Sequence, residues 1–144
     1  MSSSGEKLLY VPGNCVMAYW SFAEGFLRQA CIKGPGDYSP ELLREMCESG
    51  QSQLWISRDE RGTAIASAVT TISIDYKTGA RILEWTACAG ESMAALDECH
   101  DTIVAMAREE KNCVSARATC RLGLGKKLQK RGYRVIGYVM ERVF

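Results

Sequence analysis

Between Gln53 and Gly90 the chain alternates at the two-residue period of strands. Gln53, Trp55 and Ser57 interleave with Leu54, Ile56 and Arg58, and the run stops at Asp59-Glu60-Arg61-Gly62, a turn composition. Thr63 to Tyr76, rich in Val, Ile, Thr and Ala, ends at Lys77-Thr78-Gly79, and a third apolar run, Ile82 to Ala87, follows at once. Three β-type runs joined by short Gly-containing turns predict an antiparallel meander. A helix-period segment comes next, so the meander should be the floor on which helices pack.

On either side the period is that of helices. Leu8-Leu9-Tyr10-Val11, stopped by Pro12-Gly13, reads as an edge strand or ordered arm within residues 1–13, ahead of a single domain over 14–144. Asn14 is the expected N-cap of a helix from Cys15 to about Ile32. Its apolar stripe is Val16, Tyr19, Trp20, Ala23, Phe26, Leu27 and Ala30, a spacing of core packing rather than of a pocket. Lys33-Gly34-Pro35-Gly36 ends it. Ser39 caps a second helix with Pro40 at its first position, Leu42, Leu43 and Met46 facing inward, and Ser49-Gly50 closing it.

After the meander, Glu91-Ser92 opens a helix through about Lys111 that buries Leu96, Cys99, Ile103, Val104 and Ala107. Cys113 to Thr119 is a strand with Val114, Ala116 and Ala118 on one side. Leu122 to Lys130 reads as a short basic helix, weakened by Gly123 and Gly125. Past Gly132, Tyr133 to Phe144 alternates as a final strand. The order α-α-β-β-β-α-β-α-β is an α+β class, with no internal repeat and no linker to divide it.

Composition narrows the picture. A chain of 144 residues makes one domain that buries roughly two-thirds of its extended surface. A net charge of +1 gives no general argument for nucleic acid or membrane binding. Met1 to Lys7 carries no signal-peptide core, and no apolar run approaches the roughly 18 residues that span a bilayer, so a soluble protein made in the cytoplasm and not secreted is expected. The seven cysteines are odd in number and form no Cys-x-x-Cys pair, which predicts free, mostly buried thiols. Cys99-His100 is the one neighbouring pair of metal-ligand types, and adjacent helix residues point about 100° apart, so no metal site is expected.

The element order, the meander and the ending Lys130-Arg131-Gly132-Tyr133-Arg134-Val135, followed by Tyr138-Val139-Met140-Glu141, resemble the acetyl-CoA-dependent GNAT-type N-acetyltransferases. Gln53-Leu54-Trp55, Ala68-Val69-Thr70-Thr71-Ile72 and the Gly-x-x-x-x-Leu-x-x-x-Gly-Tyr pattern from Gly123 to Tyr133 are similar, more narrowly, to small GNAT-like proteins of tailed bacteriophages. The likeness covers about residues 15–144. It implies a mostly antiparallel central sheet flanked by helices, and the narrower form implies a bacterial host cytoplasm or a phage particle as the location.

In that family a Gln/Arg-x-x-Gly-x-Gly/Ala turn after the fourth strand holds the cofactor pyrophosphate on backbone N–H groups at a helix N-terminus. The positional equivalent here is Cys88-Ala89-Gly90-Glu91-Ser92-Met93. Ala89, Gly90, Glu91 and Ser92 are therefore the cofactor-binding positions, but one glycine remains and Glu91 sets a negative charge where phosphate would sit. The resemblance also implies a base on the fourth strand, for which Glu84 is the candidate, and a tyrosine four residues before Gly132, where Leu128 stands. Tyr133 reads as core, and His100 as a helix-surface residue. Arg121, Lys126, Lys127, Lys130 and Arg131 make a basic stretch able to meet an anion or a partner; a solvated face offset by Glu109-Glu110 is its plainer reading.

Two functions follow. One is a GNAT-fold protein with a degenerate acetyl-CoA site, needing no cofactor and working through a protein partner or self-association as a structural component of a virion or its assembly. The other is a diverged, active N-acetyltransferase that uses acetyl-CoA on a protein or small amine.

Overall fold

The computed structural model describes residues 7–144. Among these residues one sheet of five strands forms: β1 (Leu8–Val11), β2 (Ser52–Arg58), β3 (Ala64–Ile74), β4 (Arg81–Gly90) and β5 (Cys113–Ala118), lying side by side in that order. β1 through β4 pair antiparallel, and β5 pairs parallel to β4. The helices are α1 (Val16–Lys33), α2 (Pro40–Glu48), α3 (Met93–Glu110) and α4 (Leu122–Gln129).

The meander forms for the reasons its turns suggest. Asp59 accepts the backbone N–H groups of Arg61 and Thr63 on its side chain, and Asp75 accepts that of Lys77, each an Asx-type turn. Gly62 at φ +83° and Gly79 at φ +75° supply the left-handed residue each turn requires. Ser39 caps α2 by accepting the Leu42 N–H at 3.1 Å, with Pro40 at the first helical position.

Two apolar layers flank the sheet. On one face Val16, Trp20, Ala23 and Leu27 of α1 and Leu43 and Cys47 of α2 pack on Val11, Leu54, Ile56 and Val69. On the other, Cys99, Ile103 and Ala107 of α3 pack on Trp55, Ala68, Leu83 and Cys113. The strands' alternation sorts odd and even residues between these layers, as period-two geometry requires. No helix among the described residues is long and apolar enough to cross a membrane.

Several expectations are corrected. β1 is a strand on the edge of β2, which settles the choice between strand and arm for Leu8–Val11. On α1 the buried line is narrower than expected, and Tyr19 stays 37% exposed beside Phe22. Leu42 is exposed, because α2 turns Leu43, Met46 and Cys47 inward. In β5 a register shift falls at Val114, so Cys113 and Ala116 face α3 while Val114 points outward. Residues 133–144 form no strand. Their alternation is genuine, but a strand exists only where a neighbour completes its ladder, and among the described residues β5 pairs with β4 alone.

Candidate functional site

The two parallel strands part company beyond Trp85. β5 matches β4 from Arg81 to Trp85, whereas β4 continues to Gly90 with β3 on its other side. The β3–β4 register slips between Val69 and Thr70, leaving Thr86 as the extra residue of a bulge. Thr86 is tied through its hydroxyl to Thr71 at 2.7 Å, and Thr71 to Ser52 at 2.8 Å. Glu84, half-buried, stands opposite Thr71 and beside Arg117, on the face of the sheet away from Trp85. Among the described residues β4 beyond Trp85 pairs on the β3 side alone, leaving a gap beside 86–90 whose edge is strand backbone, able to hydrogen-bond an extended molecule laid along it.

At the top of this gap lies the turn from β4 into α3. Ala89 and Gly90 are still in the ladder, paired with Ser67 and Ala66. The N–H of Glu91 donates to the Ile65 carbonyl at 2.9 Å. Ser92 caps α3 by accepting the Ala95 N–H at 3.3 Å. A Cβ on Gly90 would stand 2.9 Å from the Ala66 Cβ and 3.3 Å from Leu96 Cγ, so this glycine lets helix and strand approach each other. The side chains of Glu91 and Ser92 face solvent.

Facing the gap from the α3 side is a cluster that spans 49 positions of sequence, from Trp85 to Tyr133. The Trp85 ring stacks on His100 at 5.4 Å between centroids, and Trp85 Nε1 donates to the Tyr133 hydroxyl at 3.1 Å. That hydroxyl also lies 2.8 Å from His100 Nε2, while His100 Nδ1 lies 3.0 Å from Asp101. Arg131 donates to Asp97 at 3.2 Å and to Asp101, tying the end of α4 to α3. Burial raises the Tyr133 pKa, partly opposed by the Trp85 hydrogen bond and the Arg131 charge, so the phenol stays protonated. Hydrogen bonds from His100 and then Arg131 lower that of Asp101.

This cluster revises three readings. His100 is not a surface residue: its side chain is 15% exposed and partnered on both ring nitrogens. Tyr133 is half-buried with its hydroxyl engaged, rather than apolar core. Arg131 belongs to an acidic clasp on α3, while Arg121, Lys126, Lys127 and Lys130 remain exposed along α4. The one cue to the cluster in the chain is the i, i+4 spacing of Asp97 and Asp101. Nothing local connects them to Arg131.

The thiols are free, and none is exposed. Burial, reinforced by Cys120 nearby, pushes Cys88 to about 11, and burial also pushes Cys99 to about 11. Both are protonated and unreactive at neutral pH. Among the described residues no group of three His, Cys, Asp or Glu is placed to hold a metal ion.

Comparison with solved structures places this geometry. The chain superposes on a ribosomal-protein-alanine N-acetyltransferase from Brucella melitensis biovar Abortus 2308 with a TM-score of 0.67, at 9% identity, covering 95% of this chain and 98% of that one. A glucosamine-6-phosphate N-acetyltransferase from Arabidopsis thaliana gives 0.65 at 11% identity over 96% and 97%. A predicted acetyltransferase from Clostridium acetobutylicum, solved with acetyl-CoA, gives 0.66 at 17% identity over 94% of both chains. No protein-family model matches the sequence, and no curated protein matches it. The fold is that of the GNAT acetyltransferases.

Proposed function

We propose that this GNAT-fold chain works without catalysis, as a protein-binding or structural component whose acetyl-CoA site is degenerate. The observation that carries the reading is the β4–α3 turn. Its N–H groups at Glu91 and Ala95 are taken by Ile65 and Ser92 of the same chain. Its glycine serves packing against Ala66 and Leu96, and its exposed side chain is a carboxylate. A phosphate seated there would face Glu91, and like charges a few ångströms apart repel by roughly 1 kcal/mol even when well screened. The clasp of Arg131 on Asp97 and Asp101 ties the segment after α4 to α3. The resemblance of Gln53-Leu54-Trp55 and Ala68–Ile72 to tailed-phage proteins makes a virion, or its assembly in the host cytoplasm, the setting. A protein partner, not nucleic acid, is the expected contact of the exposed basic residues on α4.

One observation favours a second reading, an active N-acetyltransferase on a protein or small amine. The Tyr133 hydroxyl is held protonated beside the open part of β4, where it could donate a proton to a leaving thiolate. Acetyl-CoA would be the cofactor and Glu84 the base. Glu84 and Tyr133 stand on opposite faces of β4, so the thioester would have to lie in the gap between them.

Titration calorimetry with acetyl-CoA and CoA separates the two. No saturable binding below the millimolar range is expected. Micromolar affinity that weakens on substitution around Gly90, with thiol release lost in Tyr133→Phe, would establish the enzyme instead.

A further inference from the structure

We propose that His100 decides whether the Tyr133 hydroxyl can donate a hydrogen bond to a molecule in the gap beside β4. The neutral imidazole holds that hydrogen, and protonation of the ring releases it. Which atoms of this network can donate fixes the direction of every bond, whatever the function of the chain.

Each end of the imidazole meets a partner of fixed character. Nδ1 lies 3.0 Å from Asp101 Oδ1, and an ionised carboxylate only accepts, so Nδ1 carries a hydrogen. Arg131 Nε also approaches Nδ1, at 3.4 Å, a contact that would need a bare nitrogen. The shorter contact prevails, because Arg131 already bonds Asp97 and Asp101 through its terminal nitrogens. A neutral ring with its hydrogen on Nδ1 presents a lone pair at Nε2. The Tyr133 oxygen lies 2.8 Å from Nε2 and accepts the Trp85 Nε1–H at 3.1 Å. Its own hydrogen therefore points at Nε2, and the phenol has none left to offer.

A second proton on the ring reverses one bond. Nε2–H then donates to the Tyr133 oxygen, which still accepts from Trp85, so the phenol hydrogen must turn away from both. Beyond Trp85, among the described residues, β4 has no strand on its β5 side, and an acceptor group lying there is what that hydrogen meets. The ring stacks on Trp85 with 15° between planes, a setting that favours the cation over the indole face. Around it stand Asp97 and Asp101 on its own helix, Arg131 and Tyr133 from the segment after α4, and Cys88 of β4 near Tyr133. Histidine side chains change charge between roughly pH 5 and pH 8, so the exchange is one of mild acid.

His100 is the single histidine of the chain, so a nitrogen–proton correlation spectrum of the labelled protein reads its ring directly. Hydrogen on Nδ1 alone is expected at about pH 8, and on both nitrogens at about pH 5. The Raman doublet of tyrosine reports whether a phenol donates or accepts. The share of Tyr133, taken as wild type minus Tyr133→Phe, should rise in intensity ratio on acidification. Asp101→Ala bares Nδ1 to Arg131 and moves the neutral hydrogen to Nε2, so the Tyr133 share should stay at its acid value throughout. Hydrogen on Nε2 alone in alkaline wild type overturns the proposal without any variant. So does a ring that keeps one state across the range, a Tyr133 share that ignores the titration, or a pH response that survives in Asp101→Ala. None of these readouts requires catalysis, so their failure leaves the choice between the two functions to calorimetry.

Discussion

Thr70 carries two hydrogen bonds on one oxygen in the middle of the sheet. Fully buried, it accepts from Trp55 Nε1 at 2.9 Å and donates to Gln53 Oε1 at 2.9 Å. Thr70→Val keeps the shape and strands both partners, so urea denaturation should show a loss of about 1–3 kcal/mol. Nearby, Ser67 donates to the Trp55 carbonyl at 2.8 Å, so the indole is fixed from both its ring and its backbone. This polar stitching explains why Ser67, Thr70 and Thr71 sit on β3 without weakening it: each finds a cross-strand partner.

At the scale of elements, the tightest constraint is where β4 meets α3. Gly90→Ala places a methyl 2.9 Å from the Ala66 Cβ and 3.2 Å from the Ile65 carbonyl oxygen. Both neighbours belong to a paired strand and yield little, so an overpacking cost of about 1–3 kcal/mol is expected in thermal or urea unfolding. The elements legible in the chain are those whose causes are local. Asp59 and Gly62 write one hairpin, Asp75 and Gly79 the next, and Ser39-Pro40 the start of α2. The resemblance located the β4–α3 turn correctly, and the structure then showed what its glycine touches. What stayed hidden depends on distant residues. The partner of Arg131 lies on α3, that of Tyr133 on α3 and β4, and the side of Val114 is fixed by a slip against Ile82. The final alternating segment misled for the complementary reason: its own residues prescribe a strand, but not the edge it requires.

For the whole molecule, the clasp between α3 and the end of α4 sets a dependence on acid. Asp101 has a lower pKa folded than unfolded, so its contribution is complete above about pH 4 and fades as pH falls through the lower folded value. Its side chain is 72% exposed, so that contribution stays within about 1 kcal/mol. Wild type and Asp101→Asn should therefore differ in urea midpoint at pH 7 and converge as the pH falls below the lowered folded-state pKa of Asp101. A gap that persists in acid would assign the effect to something other than the carboxylate charge.

The strand order has a kinetic consequence. β2, β3 and β4 follow one another in sequence with only residues 59–63 and 75–80 between them. These hairpins close short loops, whereas joining β1 to β2 must span 12–51, and joining β5 to β4 must span 91–112. The central three strands therefore collapse first as a nucleus of near-neighbour contacts, and both outer strands arrive on a template already laid down. On a growing nascent chain, β1 emerges first of the five and spends the longest time waiting to be sheltered.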